Sequence, residues 1–256
     1  MAWNPAQYEK FADERARPFH DLIRLVAWEP RMRIVDLGCG TGDLTVQLRA
    51  ESEESIVEGV DSSSAMIERG LRKDVDGVRF VLGDLASYGD RGAYDLVFSN
   101  AALHWLGDHA TLVPRLLRLA RRGGGQIAWQ IPSNHRHPAH ALIADRLVRE
   151  EPFKTLLGGY VGESPVLEVD QYARLLHGSG AREIEAVERV YCHDLGSVAG
   201  VVEWTRGTTL LPYLERLPPE VHDALFDRYR ELLKEELGAQ LRYFYTFRRI
   251  LLHAVM

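Results

Sequence analysis

The sequence predicts an α/β protein built on a doubly wound, mostly parallel seven-stranded sheet, with a helical lead-in and helical insertions. Three observations predict it. Short apolar runs alternate with helical patterns between residues 32 and 131, the rhythm of strand–helix–strand units whose sheet is covered on both faces. A glycine-rich turn, Asp36-Leu-Gly-Cys-Gly-Thr-Gly42, joins the first run to the first helix of that series. Aspartates stand at the ends of the second and third runs, Asp61 and Asp84, and right-handed crossovers bring such carboxyl ends to one crevice.

Each element follows in order. Residues 3–23 read as an amphipathic lead-in helix, with Arg15 and Arg17 beside Tyr8, Phe11, Phe19 and His20. Met32–Leu37 is the first strand, and Leu44, Val46 and Leu48 mark the helix after the glycine turn. Ser55–Val60 is the second strand, followed by a helix over Ser63–Leu71 that the serine cluster caps. Val78–Leu82 and Tyr94–Phe98 are the third and fourth strands. A helix over Leu112–Ala120 stops at the triple glycine Gly123–Gly125, and Gln126–Ile131 is the fifth strand. Residues 133–165, rich in Pro, His and Gly around a helix at Ala139–Arg149, read as an insertion over the crevice. A helix at Val169–His177 leads to a strand near Ile184–Tyr191. A second helical insertion spans 195–238, broken by Pro212, Pro218 and Pro219, and Tyr243–His253 within 241–256 forms the last strand. The chain is thus read as one domain, 1–256, with a lead-in lid at 1–28 and a core at 30–131.

Composition narrows the function. A net charge of −6 over 256 residues opposes a broad nucleic-acid or anionic-membrane surface, because such partners need a dense cationic field. No run approaches the ~18 uninterrupted apolar residues of a membrane span, and the first residues lack a signal peptide's apolar stretch. Cys39 and Cys192 sit in no C-x-x-C spacing and suit a reducing compartment. The expectation is a cytoplasmic monomer acting on a small molecule, without a metal.

The glycine turn carries the chemistry. Glycines let backbone approach a ligand closely and accept a sharp turn. A dinucleotide site prefers G-x-G-x-x-G, whereas this turn is G-x-G-x-G with Asp36 just before it, and a carboxylate there opposes an anionic pyrophosphate. A P-loop lacks its Gly-Lys-Ser/Thr. An acid suits a cofactor that bears a cation, although a merely tight turn is the plainer alternative. Asp61, about 20 residues beyond the glycines, stands where a carboxylate accepts ribose hydroxyls, yet a lone Asp at a strand end also serves as a helix cap. Gly83-Asp84-Leu85 can meet a purine edge. Ser99-Asn-Ala-Ala-Leu-His-Trp105 ends the fourth strand. Either it lines the site of group transfer, or Leu103 and Trp105 pack the next helix and leave His104 exposed. The Asn/Asp-Pro-Pro-Tyr/Phe sequence of amino-directed methyl transfer and a Pro-Cys nucleophile are both absent.

D-L-G-C-G-T-G, V-D-S-S, G-D-L and D-L-V-F-S-N-A-A-L-H-W together resemble the four core motifs of the class I S-adenosylmethionine-dependent methyltransferases, a Rossmann-like fold. The similarity narrows further. W-N-P-x-x-Y-x-x-F-x-x-E-R-x-R-P at the start and S-N-A-A-L-H-W-L-x-D-H in the middle resemble the trans-aconitate methyltransferase family. So do Q-I-P-S-N at 130–134, E-W-T-R-G-T-T-L-L-P-Y-L at 203–214 and the closing F-R-R-I-L. Thr41 stands where that family can carry proline, and His104 where glutamine can occur.

The resemblance implies transfer of a methyl group from S-adenosyl-L-methionine to one carboxylate of a small tricarboxylate, leaving S-adenosyl-L-homocysteine. A carboxylate is ionised at neutral pH, so no general base is required, and positioning supplies most of the rate. The implied cofactor residues are Tyr8, Asp36, Gly38, Cys39, Gly40, Gly42, Asp61, Ser62, Met66, Asp84, Leu85, Asn100 and Ala101. A trianionic substrate beside acids needs cations, and arginine meets a carboxylate with two charge-assisted hydrogen bonds. Arg17, Arg15, Arg206 and Arg249 are the candidates, with His104, Trp105 and Tyr213 beside them; spaced two apart on a helix, Arg15 and Arg17 face different ways, and Arg17 is the preferred clamp. Three other readings stand: a methyltransferase for an isoprenoid or quinone-type acceptor, which predicts an apolar cavity; a non-catalytic cofactor-binding module; and, more distant, a dehydrogenase, which predicts binding of a reduced nicotinamide.

Overall fold

Ile34, Val35 and Leu37, Val57 and Val60, Leu96, Val97 and Phe98, and Ile127, Ala128, Trp129 and Ile131 are all buried. Strands apolar on both faces, as these are, are stable only between two layers of helices. The computed structural model describes the backbone of residues 12–89, 91–238 and 242–256, with side chains from Arg17 onward within those ranges. These residues form two compact units.

The first unit takes Ala16–Pro132, Pro165–Arg189 and Arg249–Met256. Its strands are β1 (Arg33–Leu37), β2 (Ile56–Asp61), β3 (Val78–Leu82), β4 (Leu96–Asn100) and β5 (Gln126–Pro132), joined by parts of β6 (Arg182–Asp194) and β7 (Phe244–Val255). The seven-stranded order is β3-β2-β1-β4-β5-β7-β6. β1 to β5 pair in parallel, and β7 runs antiparallel to β5, from Gln126 opposite Val255 to Pro132 opposite Arg249. The doubly wound, mostly parallel sheet is the one the apolar rhythm predicts. Because β1 has β2 on one side and β4 on the other, the strand order reverses there, which opens a crevice at the carboxyl ends of β1 and β4.

Helices α1 (Ala12–Ile23), α2 (Asp43–Glu51), α3 (Ser64–Leu71) and α4 (His109–Leu117) flank these strands in the chain. On α1, Phe19 and Leu22 are fully buried while Arg17, His20 and Arg24 are exposed, the one-sided spacing of a surface helix. Phe19 meets the ring of Phe98 on β4 edge-on, at 5.6 Å and 75°, and so docks the helix on that face of the sheet.

Three local expectations are corrected. Ser63 is the N-cap of α3, but its side chain makes no capping bond; its own N–H donates to the Asp61 carboxylate at 2.9 Å. Helix α4 ends at Leu117, before the triple glycine, and the N–H groups of Gly123 and Gly124 donate to the Met256 carbonyl instead. The fourth strand starts at Leu96 rather than Tyr94, which forms an isolated bridge with Ala120.

The second unit takes Ser133–Ser164 and Val190–Arg248, with the start of α1. It holds α5 (Pro138–Asp145), α6 (Phe153–Leu156), α8 (Val198–Arg206), α9 (Leu211–Leu214) and α10 (His222–Leu237), whereas α7 (Val169–Gly178) belongs to the first unit. Pro138 opens α5, where a missing N–H costs nothing. Trp204 is fully buried against Phe247, ring centres 5.2 Å apart, and stacks on His193. Tyr229 of α10 donates to the Ala139 carbonyl at 2.6 Å, and Arg228 grips Glu150 through two bonds of 2.6 and 2.9 Å. Among the described residues no helix is long and apolar enough to cross a membrane.

Candidate functional site

At the end of β1 the chain turns sharply. Gly38 adopts φ +81°, and a Cβ there would lie 2.1 Å from that of Ala102, so only glycine fits. Its N–H and that of Cys39 both donate to the Val60 carbonyl, at 2.8 and 3.0 Å. Gly40, φ +55°, is the opposite case: nothing lies within 4 Å of where its Cβ would stand, so the bare backbone is open to a ligand. Gly42, also at positive φ, is the N-cap of α2.

Asp36 lies beneath this turn, buried, and accepts from the Thr45 hydroxyl at 2.7 Å. Burial pushes its carboxyl up to about 7; the Thr45 bond opposes the rise and the nearby Asp61 adds to it. Burial, Asp36 and Asp61 push the Cys39 thiol well above its usual range, which leaves it protonated and a poor nucleophile. Asp61 ends β2 and ties two loops together, with Oδ2 accepting from Gly40 N–H and Oδ1 from Ser63 N–H, both at 2.9 Å. Ser62 is exposed and Met66 half-buried. Asp84 is exposed and holds its own turn through Ala86 N–H at 3.0 Å, while Leu85 is buried.

The turn carrying Asp84 is braced by residues that the motif reading passed over. Arg115 of α4 donates to the carbonyls of Leu85, at 3.2 Å, and Tyr88, at 3.1 Å. Glu58, buried in β2, accepts from the hydroxyls of Tyr88 and Tyr94, both at 2.7 Å, and pairs with Arg79. The signal was present: Glu58 is a lone charge in an apolar strand.

At the end of β4, Ser99 ties back to the Leu37 carbonyl at 2.8 Å. Ala101 takes φ +54°, uncommon for a residue with a side chain, and its N–H donates to the Gln130 carbonyl at 2.9 Å. Asn100 Oδ1 is shut off from solvent and has no hydrogen-bond partner among the described residues. The alternative in which His104 is exposed and Trp105 packed is reversed: Leu103 is buried, Trp105 is 51 % exposed, and the His104 ring is half-buried with Nδ1 sealed in and unpartnered. Burial, then the charge of Arg249, then His109, pull the His104 pKa down to about 3, so the ring is neutral. His109 props this turn through the Leu103 carbonyl at 3.0 Å and through Tyr172. Arg249 on β7 is itself buried and donates to Gln130 Oε1 at 3.2 Å.

The predicted residues therefore divide. Asp36, the glycine turn, Asp61, Asp84, Leu85, Asn100, Ala101, His104 and Trp105 gather along the carboxyl ends of adjacent strands, with Arg249 on β7. Arg17 is exposed on α1. Tyr8 lies outside the described residues, and so does the side chain of Arg15. Arg206 and Tyr213 belong to the second unit. There Arg206 lies 4.7 Å over the Phe226 ring, and the buried Tyr213 hydroxyl accepts from Gly162 N–H at 2.9 Å. A separate cleft of about 400 Å³, bounded by His20, Ile23, Arg24, Val26, Trp28 and Glu51, shares no residue with these strand ends. Among the described residues no three His, Cys, Asp or Glu side chains gather as metal ligands do. An open glycine backbone, acids at two strand ends and a buried, unpartnered acceptor on Asn100 fit a ligand that carries sugar hydroxyls and positive charge.

Comparison with known proteins agrees with this geometry. Residues 34–124 match a family model described as a methyltransferase domain. A curated relative from Deinococcus radiodurans, trans-aconitate 2-methyltransferase, is 41% identical, the match covering 98% of this chain and 97% of that protein. Among solved structures, the YcgJ protein of Bacillus subtilis has the same fold, with a TM-score of 0.62 at 15% identity over 93% of this chain and 97% of that one. Haemonchus contortus phosphoethanolamine N-methyltransferase 2 in complex with S-adenosyl-L-methionine gives 0.57 at 17% identity, covering 93% of this chain and 52% of that one.

Proposed function

The chain belongs to the trans-aconitate 2-methyltransferase family, and from that premise we propose how its residues divide the work of esterifying trans-aconitate or a closely related small tricarboxylate. S-adenosyl-L-methionine is the methyl donor: its sulfonium supplies an electrophilic methyl that a carboxylate oxygen takes as the carbon–sulfur bond breaks, sulfur keeping the electron pair. The product is a monomethyl ester, and no proton moves.

In this reading Asp61 accepts the ribose hydroxyls while holding Gly40 in place, and the Asp84–Leu85 turn meets the adenine. The open backbone at Gly40 and the Asn100 oxygen receive the methionine end, whose cationic groups the ionised Asp36 favours. Arg249 holds the acceptor carboxylates from β7, with neutral His104 as a donor beside it. Residues 1–28 act as a lid, to which Tyr8, Arg15 and Arg17 belong. Since Arg206 and Tyr213 are engaged inside their own unit, the reading does not depend on them.

The single observation that carries this reading is the buried cation Arg249 beside strand ends otherwise fitted for a cationic nucleoside. An isoprenoid or quinone-type acceptor would instead call for an apolar pocket at that spot. The test is transfer of a labelled methyl group from S-adenosyl-L-methionine to a panel of di- and tricarboxylates. Esterification of trans-aconitate above its relatives is expected; tight cofactor binding with no tricarboxylate esterified would refute the reading.

A further inference from the structure

Gln130 stands near the end of β5, 1 % exposed, in a strand whose other buried side chains are mostly apolar. Its register partner on β4 is Asn100, and its partner on β7 is Leu251, two residues from Arg249. Alternation along a strand therefore puts Asn100, Gln130 and Arg249 on one face of the sheet. Phe98 precedes Asn100 by two residues and shares that face, which α1 covers through Phe19.

The chemistry of the Arg249 contact settles how the Gln130 amide is turned. A guanidinium can only donate, so the atom 3.2 Å from Arg249 Nη1 is the amide oxygen. The NH₂ group is left over. It is buried, and among the described residues no atom accepts from it. A buried donor without an acceptor is costly and rare in native proteins, so a site that keeps one is built for something that enters it. Beside it the Asn100 oxygen is an acceptor without a donor. The two side chains have opposite needs, and the line between a cationic donor molecule and an anionic acceptor molecule runs between β4 and β5.

We propose that Gln130 is a substrate-recognition residue: with its amide oriented by Arg249, Nε2 donates to a carboxylate of the tricarboxylate acceptor. The inference rests on the tricarboxylate reading and adds a neutral donor to it. A neutral amide suits this place, because it fixes a carboxylate without tying it in a bidentate ion pair that would blunt its nucleophilicity.

The experiment compares wild type, Q130E and Q130M in the full chain. Tricarboxylate binding is measured by calorimetry in the presence of S-adenosyl-L-homocysteine, together with KM, kcat, cofactor Kd and melting temperature. Q130E keeps the shape and gains an ion pair with Arg249, so its melting temperature holds or rises. It exchanges the donor for an acceptor that repels the substrate, so Kd and KM for trans-aconitate should rise by at least about tenfold, as expected for a lost bond to a charged group. Q130M should show a smaller rise, and cofactor Kd should stay within about twofold in both. Unchanged tricarboxylate binding in both variants, or a rise in cofactor Kd instead, overturns the assignment of Gln130 alone. Wild type that binds no tricarboxylate overturns the parent reading with it.

Discussion

Asp36 and Asp61 stand at the carboxyl ends of β1 and β2 and Asp84 just beyond β3, whereas the ends of β4 and β5, and β7 beside them, carry Asn100, His104, Gln130 and Arg249. The first group is acidic, and two of its members are tied into loop backbone through N–H donors. The second is neutral or cationic, and three of its side chains end in buried atoms with no partner. The acids thus do local structural work as well as any binding. In the proposed division one mostly parallel sheet serves two ligands of opposite charge, and the line between them falls between Asn100 on β4 and Gln130 on β5.

Replacing the cation should break this division most severely. Removing the buried Arg249 relieves its desolvation cost but strands the Gln130 Oε1 that it bonds, so Arg249→Met should lose about 1–3 kcal/mol of stability, read from the melting temperature. Its kcat/KM for trans-aconitate should fall by roughly 100-fold or more, on the scale of a truncated buried charge pair. Cofactor Kd, read by fluorescence or calorimetry, should not move. A normal kcat/KM would remove the acceptor role from β7.

The matching change on the acidic side is Asp61→Ala. It removes the carboxylate assigned to the ribose and unties Gly40 from Ser63. Cofactor Kd should rise by about an order of magnitude or more, on the usual strength of hydrogen bonds to charged groups, while KM for the tricarboxylate at saturating cofactor changes little. Unaltered cofactor affinity would sink the ribose assignment.

How much of this was legible in the sequence depends on whether a feature is local. The strands were legible because Val, Ile and Leu fill both faces of a parallel sheet, and the glycine turn because its backbone demands are met within five residues. Asp61 was legible only as part of a series, since it both ends a strand and caps a loop. Gln130 was not: one glutamine in Q-I-A-W-Q-I-P looks like a strand residue until the partner across β7 is known. Arg115 was hidden in the same way inside L-V-P-R-L-L, because its carbonyl partners lie 27 and 30 residues away in the chain. The serine cap was misjudged because propensity names the residue type at the N-cap but not its rotamer: the Ser63 side chain makes no capping bond, and the Asp61 carboxylate instead fixes the loop through the Ser63 N–H.

A pH series sharpens the comparison through Asp36. Its folded pKa, about 7, lies above the ordinary 3.8, with burial as the main cause. Between those values the folded chain keeps a proton that the unfolded chain releases. The Asp36 contribution to stability, read without cofactor as the difference between wild type and Asp36→Asn, should therefore fall as pH rises from about 4 to about 7 and level off beyond, against the opposite slope of the buried His104, His137 and His140. A cationic ligand favours the ionised form, so cofactor affinity should run the other way, rising severalfold towards pH 7 and flattening above it. Asp36→Asn is expected to remove this contribution and to flatten the cofactor curve. If wild type and Asp36→Asn show the same pH dependence of melting temperature and of cofactor Kd in that window, Asp36 is not the titrating group. His104, whose folded pKa is pulled down to about 3 from 6.5 by burial and by Arg249, adds the opposite slope to stability, rising with pH until about 6.5, in wild type and variant alike.

The smallest expected effect tests whether the acidic side depends on support from behind. Arg115 fixes the backbone of the Asp84 turn through the carbonyls of Leu85 and Tyr88, and its charge interacts with the Asp84 carboxylate. Arg115→Lys retains the charge but cannot span both carbonyls with a planar fork. Cofactor KM should rise by a factor of about 3 to 10, the worth of one or two ordinary hydrogen bonds, with kcat unchanged, because the methyl and its acceptor lie at the other strand ends. A drop in kcat at saturating cofactor would mean that the adenine turn and the transfer site are coupled, and that the two sides are less independent than their chemistry suggests.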